Sequence, residues 1–285
     1  MKNLTIYYVV GGNDCHYTNL LQSVRSVRKL TADTPIKIFD FSGKWKYGPE
    51  DGADNVEVVD LPNEIDFSKK KIGYLFWRQK YVRALDIDTQ YAMYVDTDTV
   101  LVNDTFKEIT KSIGTGIGSA RHWWVPNFHT FLNVAVPEQN KLEFINVCQK
   151  FYDPSEPPFG EKPFYAGGVF VFKNNKKNKS LMQKVIDVYD DVYTGDSEYV
   201  RGITDEVFFS GVCKGVTDLG GSLNHCCMGD QHMDLKIENG KVVGKNSYEE
   251  TWSPITFFHC DTSRRDPSEN YQGELKEKIR SLFYE

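Results

Sequence analysis

The stretch Tyr91-Ala-Met-Tyr-Val-Asp96-Thr-Asp98-Thr-Val-Leu-Val102 sets two aspartates, one residue apart, at the end of an apolar run. The run reads as a buried central strand, with the acids where strand gives way to loop. In an extended chain residues two apart point to the same side, about 6.5 Å from one another. Asp96 and Asp98 then face one spot, and Thr97 turns away. Two hard carboxylate oxygens on one spot suit Mg²⁺ or Mn²⁺, held jointly with the oxygens of a diphosphate. The carboxyl end of a central strand is also where open α/β sheets bind ligands. Asp-x-Asp triplets are common in turns, so the flanking chain has to carry the reading.

Leu4–Val10 is a first strand that ends in Gly11-Gly12-Asn13-Asp14, a strand-to-helix turn. Leu20, Leu21, Val24 and Val27 follow at helical spacing, with Arg25, Arg28 and Lys29 on the other face. Pro35–Phe39 and Val56–Val59 are the next strands, and this β-α-β-β start predicts a mainly parallel, doubly wound sheet. Residues 42–53, rich in Gly, Lys and Pro, read as an exposed loop. Phe76–Leu85 is a helix feeding the Asp96 strand and carries Arg78, Lys80 and Arg83. Gly116–Ala120 and Phe164–Phe172 are strands; Leu181–Val192 is an amphipathic helix. A further helix opens in Gly202–Phe209 with Thr204 as its cap. Ile255–His259 reads as a late strand and Glu274–Phe283 as a closing helix. Without repeat or linker, the expectation is one α/β domain over residues 1–265, with helices on both faces. Residues 266–285 add a flanking C-terminal helix.

A chain of 285 residues with net charge −6 is no general nucleic-acid or anionic-membrane binder. No apolar run reaches the ~18 residues that span a bilayer. The apolar run after Met1 is too short for a signal peptide and lacks a cleavage site, so the expected compartment is cytoplasmic. Six cysteines without framework spacing are expected as free thiols. His225-Cys-Cys-Met-Gly-Asp-Gln-His232 lacks a Cys-x-x-Cys pair and a second half, which argues against structural zinc.

Five short blocks, in order, resemble nucleotide-sugar glycosyltransferases of the GT-A fold, a Rossmann-like arrangement. Val95-Asp-Thr-Asp-Thr-Val100 is similar to the Asp-Ala-Asp-Thr segment of family 8, which includes glycogenin and bacterial galactosyltransferases. Lys80, sixteen residues ahead of Asp96, matches a donor-binding lysine of the glycogenin-like pattern. Phe164-Tyr-Ala166-Gly167-Gly168-Val-Phe170 is similar to the block that walls the donor sugar in family 6, the blood-group A/B and α1,3-galactosyltransferases. Thr204-Asp205-Glu206 resembles the Asp-Glu pair of family 6, and Phe257-Phe-His259 the family 8 histidine that completes a metal site. Cys260-Asp-Thr-Ser-Arg264-Arg265 departs from the Gly-x-x-Lys-Pro-Trp of family 8, and family 6 does not ligate through that histidine. The chain mixes two patterns, so neither lends it a linkage.

The resemblance implies a UDP-sugar donor, Mn²⁺ or Mg²⁺ on Asp96, Asp98 and His259, and retention of anomeric configuration. Asp96 is shared between metal and ribose. Lys80, with Arg264 or Arg265, adds fixed positive charge at the phosphates. Gly11, Gly12, Asn13 and Asp14 stand where the first strand meets the uridine, close approach being a glycine property; a simple turn is the plain alternative. Tyr17 can stack on the base or pack in the core. Ala166, Gly167 and Gly168 wall the sugar. Glu206 is the catalytic carboxylate, as nucleophile or charge stabiliser, and Asp205 holds a sugar hydroxyl; both also suit a helix amino terminus. His122, Trp123 and Trp124 lie on the acceptor side. The acceptor is a glycan or glycoconjugate, and a lipid-linked one implies peripheral contact with a membrane.

Three other readings stay open. Inverting transferases share the metal motif. Haloacid-dehalogenase-type phosphatases also use an apolar strand followed by Asp-x-Asp, with Asp190-Asp191 as the late acidic pair, although their motif lies near the amino terminus. A nucleotide-sugar binding protein without turnover is the third.

Overall fold

A computed structural model describes residues 3–62, 64–67, 72–122, 125–151, 159–193, 204–220, 223–226, 233–246, 249–260 and 266–284. The chain runs β1 (Leu4–Val10), α1 (Asp14–Leu30), β2 (Ile36–Asp40), β3 (Val56–Asp60), α2 (Ile72–Ala84), β4 (Tyr91–Val95), β5 (Thr99–Leu101), α3 (Phe106–Ile113) and β6 (Ile117–Arg121). Next come α4 (Phe128–Val134), α5 (Lys141–Gln149), β7 (Tyr165–Lys173), α6 (Lys176–Tyr193), α7 (Asp205–Val212), β8 (Thr217–Asp218) and β9 (Asn224–Cys226). The last elements are β10 (Met233–Glu238), β11 (Lys241–Asn246), β12 (Ser253–Pro254), β13 (Phe257–His259) and α8 (Gly273–Tyr284).

The central sheet has seven strands in the order β3-β2-β1-β4-β7-β6-β8. It is mainly parallel, as expected, but β7 runs antiparallel to both β4 and β6. Side chains alternate across strands, and both faces are apolar. Tyr7, Val9, Tyr94, Phe170 and Phe172 turn to one core, built with Tyr81 of α2, Tyr189 of α6 and Phe208 of α7. Ile6, Tyr8, Met93, Val95 and Val171 turn to the other, closed by α1 and α3. Helices therefore cover both faces. On α1, Leu20, Val24 and Val27 recur at helical spacing and are wholly buried. From its last turn Arg28 donates to the carbonyls of Thr34, Asp54 and Asn55, fastening the helix to the segment that enters β3.

Two features lie beyond the expected pattern. β10 and β11 form an antiparallel hairpin around Asn239 and Gly240, whose φ values of 52° and 73° are left-handed at both turn positions; two such residues define the tight hairpin turn that twists with its strands. A short ladder, β5-β13-β9, stitches the segment after the aspartates to the late strand. A third core forms behind it, where Ile279 of α8 packs with Val100, Val102, Val242, Ile255 and Phe258. Among the described residues no helix is long and apolar enough to cross a membrane. Cys15, Cys148 and Cys213 are free thiols.

Candidate active site

The carboxyl ends of β1 and β4 open on the same edge of the sheet, and antiparallel β7 enters from that edge. The turn after β1, the acids after β4 and the glycines at the start of β7 meet there by topology alone. They line a cleft of about 590 Å³, a size suited to small-molecule ligands.

Asp96 and Asp98 stand in a turn rather than in extended chain, since Thr99 Oγ1 donates back to the Asp96 carbonyl at 2.8 Å. The imidazole reaches them through the pairing of β5 with β13, which sets His259 opposite Thr99, and through the Cys260 amide donating to the Asp98 carbonyl at 2.8 Å. His259 Nε2 lies 2.9 Å from Asp98 Oδ1 and 3.9 Å from Asp96 Oδ2. The three groups can be met by one ion, and their oxygen and nitrogen donors fit Mn²⁺ or Mg²⁺. Burial alone would lower the His259 pKa, but the charge and hydrogen bond of Asp98, with Asp96 behind, raise it to about 9. Burial works against the Asp98 charge too, and His259 overrides it, bringing the carboxyl to about 2. Asp96 is raised by burial, against the pull of Lys80 and His259.

Lys80 is buried, and its Nζ lies 2.8 Å from Asp205 Oδ2, 3.2 Å from Asp96 Oδ1 and 3.3 Å from the Gly167 carbonyl. It ties the cation-side acids to the first turn of α7. Desolvation works against its charge, but Asp205 and Asp96 raise its pKa. Tyr94 adds a hydroxyl donor to Asp96 Oδ1 at 2.5 Å. Across the strand Glu206 Oε1 accepts from the Gly167 amide at 3.0 Å. Burial and the neighbouring Asp205 raise the Glu206 pKa to about 7.

Gly167 and Gly168 keep these two groups of side chains in contact with one strand. A Cβ on Gly167 would stand 2.6 Å from Asp205 Oδ2 and 2.9 Å from Glu206 Cγ. On Gly168 it would stand 2.9 Å from each of Asp96 Oδ2, His259 Cε1 and Asn224 Nδ2. These distances are shorter than van der Waals contact allows, so each glycine makes room for one set of functional groups.

The other candidates divide. Gly11, Gly12, Asn13 and Ala166 line the cleft, with Gly12 at φ 82° turning the chain out of β1. Asp14 does not line it; it is exposed and paired with Lys44 at 2.9 Å. Tyr17 is buried in the core with its hydroxyl on Asp40, so the helix-face position prevails over base stacking. His122 is buried beside Phe164 and its pKa is driven to about 3 by desolvation; it offers no open acceptor surface. Asp190 of α6 pairs with Arg78 of α2 at 2.7 Å, and neither Asp190 nor Asp191 lines the cleft, where the late acidic pair of a phosphatase would have to stand. Trp123, Trp124, Arg264, Arg265 and the span 227–232 lie outside the described residues.

The cleft also holds residues that sequence reasoning passed over. His16, Phe67, Phe76, Trp77 and Asn224 line it. The Phe67 ring rests on Gly11, where a Cβ would collide with it, and its centroid is 5.7 Å from that of Phe76. Thr204 sits at the N-cap of α7, but its hydroxyl makes no capping bond, and the residue lines the cleft instead.

No family model matches the chain, and no curated protein matches it. Solved structures do. The galactosyltransferase LgtC in complex with donor and acceptor sugar analogues superposes with TM-score 0.53 at 14% identity, over 98% of this chain and 94% of that one. An active-site mutant of LgtC gives 0.54 at 13% identity, with the same coverage. The bifunctional glycosyltransferase WbbM, in its apo structure, gives 0.50 at 12% identity over 78% of this chain and 40% of that one. The chain has the fold of the GT-A galactosyltransferase LgtC along nearly its whole length.

Proposed function

We propose that the protein is a metal-dependent glycosyltransferase that moves a hexose or pentose from a UDP-sugar to a hydroxyl of a glycan or glycoconjugate, with retention. The observation that carries this reading is the convergence of Asp96, Asp98, His259, Asp205 and Glu206 about Gly167-Gly168, in one cleft. Four carboxylates there face one ammonium and two imidazoles, His16 and His259. Such a site repels a diphosphate by itself, and a divalent cation held by Asp96, Asp98 and His259 would reverse that repulsion. Held by Asp96, Asp98 and His259, such an ion would supply Lewis-acid stabilisation to a departing diphosphate.

The chain's own groups supply the rest. Lys80 pairs with both Asp96 and Asp205, offsetting one of their two charges, and so fixes both carboxylates where they stand. Glu206, held by the Gly167 amide, presents a carboxylate to the positive charge that develops at the sugar carbon. Asp205, which lines the cleft, accepts from a sugar hydroxyl in this reading. The turn at Gly11-Gly12-Asn13 and the aromatic wall of Phe67, Phe76 and Trp77 form the base end of the cleft. Uridine as that base rests on the family resemblance. Residues 1–265 form the catalytic unit in this reading, with the C-terminal helix supporting the metal-bearing ladder; the chain works in the cytoplasm, touching membranes at most through a lipid-linked acceptor.

The test is nucleotide release from a panel of UDP-glucose, UDP-galactose, UDP-xylose, their N-acetyl forms and GDP-mannose, with Mn²⁺. Release from one donor that needs the metal and disappears in Asp98→Ala is expected. Silence across the panel, together with no nucleotide binding by calorimetry, would overturn the proposal.

A further inference from the structure

Asn224 is the first residue of β9, beside the strand that carries His259. Its side chain is 1% exposed, and neither Nδ2 nor Oδ1 has a hydrogen-bond partner among the described residues. A buried amide is ordinarily paired, because leaving it unpaired forfeits its hydration with nothing in return. This one lines the cleft. Over Gly168 it shares a single small space with Asp96 Oδ2 and His259 Cε1.

The placement is directional. Asp96 Oδ1 is taken by the Tyr94 hydroxyl and Lys80. Oδ2 is the oxygen turned towards His259, and it is this side that Asn224 flanks with its Nδ2; no hydrogen bond among the described residues fixes either end of the amide, so a half-turn about χ2 brings the oxygen there instead. An amide oxygen is also what the charge balance favours, since it adds a hard acceptor without a fifth carboxylate.

We infer that Asn224 is a positioning residue of the cation site, its amide kept for the loaded state, where its oxygen serves the cation or a water bound to it. This rests on reading Asp96, Asp98 and His259 as a cation site. The role explains why the polar atoms stay unpaired in the protein alone, and why Gly168 has no side chain to separate them from Asp96.

The experiment is calorimetric titration of Mn²⁺ alone, without nucleotide, into wild type, Asn224→Ala, Asn224→Leu and Asp98→Ala. Each chain is also melted without metal. A loss of about 10- to 100-fold in Mn²⁺ affinity is expected for both Asn224 variants, the usual range for groups that support metal ligands. Their metal-free melting temperature is expected to hold or rise, because an unpaired buried amide has been removed. Mn²⁺ affinity equal to wild type in either variant would overturn the role. Should neither variant fold, asparagine-selective ¹⁵N labelling of wild type decides: an Asn224 side-chain amide signal that does not move with Mg²⁺ also overturns it. If wild type itself binds no Mn²⁺, the cation reading falls and Asn224 with it; if wild type binds and the variants match it, only Asn224 falls.

Discussion

Lys80 Nζ lies 2.8 Å from Asp205 Oδ2, and neither side chain is as much as a tenth exposed. The same ammonium reaches Asp96, so one buried positive charge holds acids from two sides of the cleft. Removing one partner of such a set leaves the others charged and dry. Lys80→Met is expected to cost about 3–5 kcal/mol in urea unfolding at pH 7. The deficit shrinks in acid, where Asp96, already raised, takes up a proton. A loss under about 1 kcal/mol would mean that water reaches the acids.

Gly168→Ala tests the spacing rather than the charge. The added methyl must displace Asp96, His259 or Asn224, while the backbone has no positive φ to strain. Mn²⁺ affinity is expected to fall by about 10-fold or more in calorimetry, with a stability loss of about 1–3 kcal/mol from overpacking. Gly240→Ala is the control: it sits at φ 73° in open space in the hairpin turn. It is expected to lower the melting temperature through strain and leave Mn²⁺ affinity alone.

The His259 imidazole, raised to about 9 by Asp98 and Asp96, is protonated at pH 7 in the metal-free protein. A ligating imidazole must be neutral, so cation binding releases its proton. Titrations at pH 7 in buffers of different ionisation enthalpy should report close to one proton released per Mn²⁺. Affinity should climb about tenfold per pH unit until pH nears 9. In the metal-free protein the sign is opposite. The raised His259 contributes stability that is complete below its unfolded value of about 6.5 and is lost as pH rises through about 9. Asp98, lowered to about 2, contributes stability above about 3.8 that is lost as pH falls through 2.

Glu206 is raised to about 7 by burial and by Asp205. Its folded value lies above the unfolded one, so the stability linked to it is complete below about 4.5 and lost as pH rises through 7. Metal-free Glu206→Gln should therefore be more stable than wild type at pH 8, by on the order of 2 kcal/mol. The proposed transfer uses the ionised form, so kcat/KM of wild type should rise across pH 7, whereas Glu206→Gln should lose about 10²–10⁴-fold and show no such rise. A variant with wild-type kcat/KM would remove Glu206 from the chemistry.

Much of this was legible in the chain. β1 and β4 show as uninterrupted apolar runs, and Asp96 and Asp98 mark the edge where the sheet opens. The turn that holds the two acids was not legible, because it is closed by a side-chain bond from Thr99 to the Asp96 carbonyl, and the imidazole beside them comes from β13, far along the chain. The Asn239-Gly240 hairpin follows a strong local pattern, two left-handed residues between alternating apolar ones, yet it lies in a stretch without other landmarks. The helix α3 likewise carries Phe106, Ile109, Thr110 and Ile113 at helical spacing. Phe67 and Asn224 show no pattern. One is a lone aromatic in a connection and the other a lone amide, and only the meeting of distant segments gives either a place. Tyr17 shows the converse, since spacing predicts its burial better than any family role.

The ladder β5-β13-β9 has a consequence for the order in which the molecule becomes competent. Asp98 is brought to His259 by strands more than 150 residues apart in the sequence, so the contact closes one of the longest loops in the fold. During synthesis the parallel β1-β2-β4 framework can collapse with both aspartates in place and still lack the imidazole. The proposed cation site is complete only after the chain has been made past residue 259 and β13 has docked. An ion that prefers the finished ladder then selects for completed molecules over partly built ones.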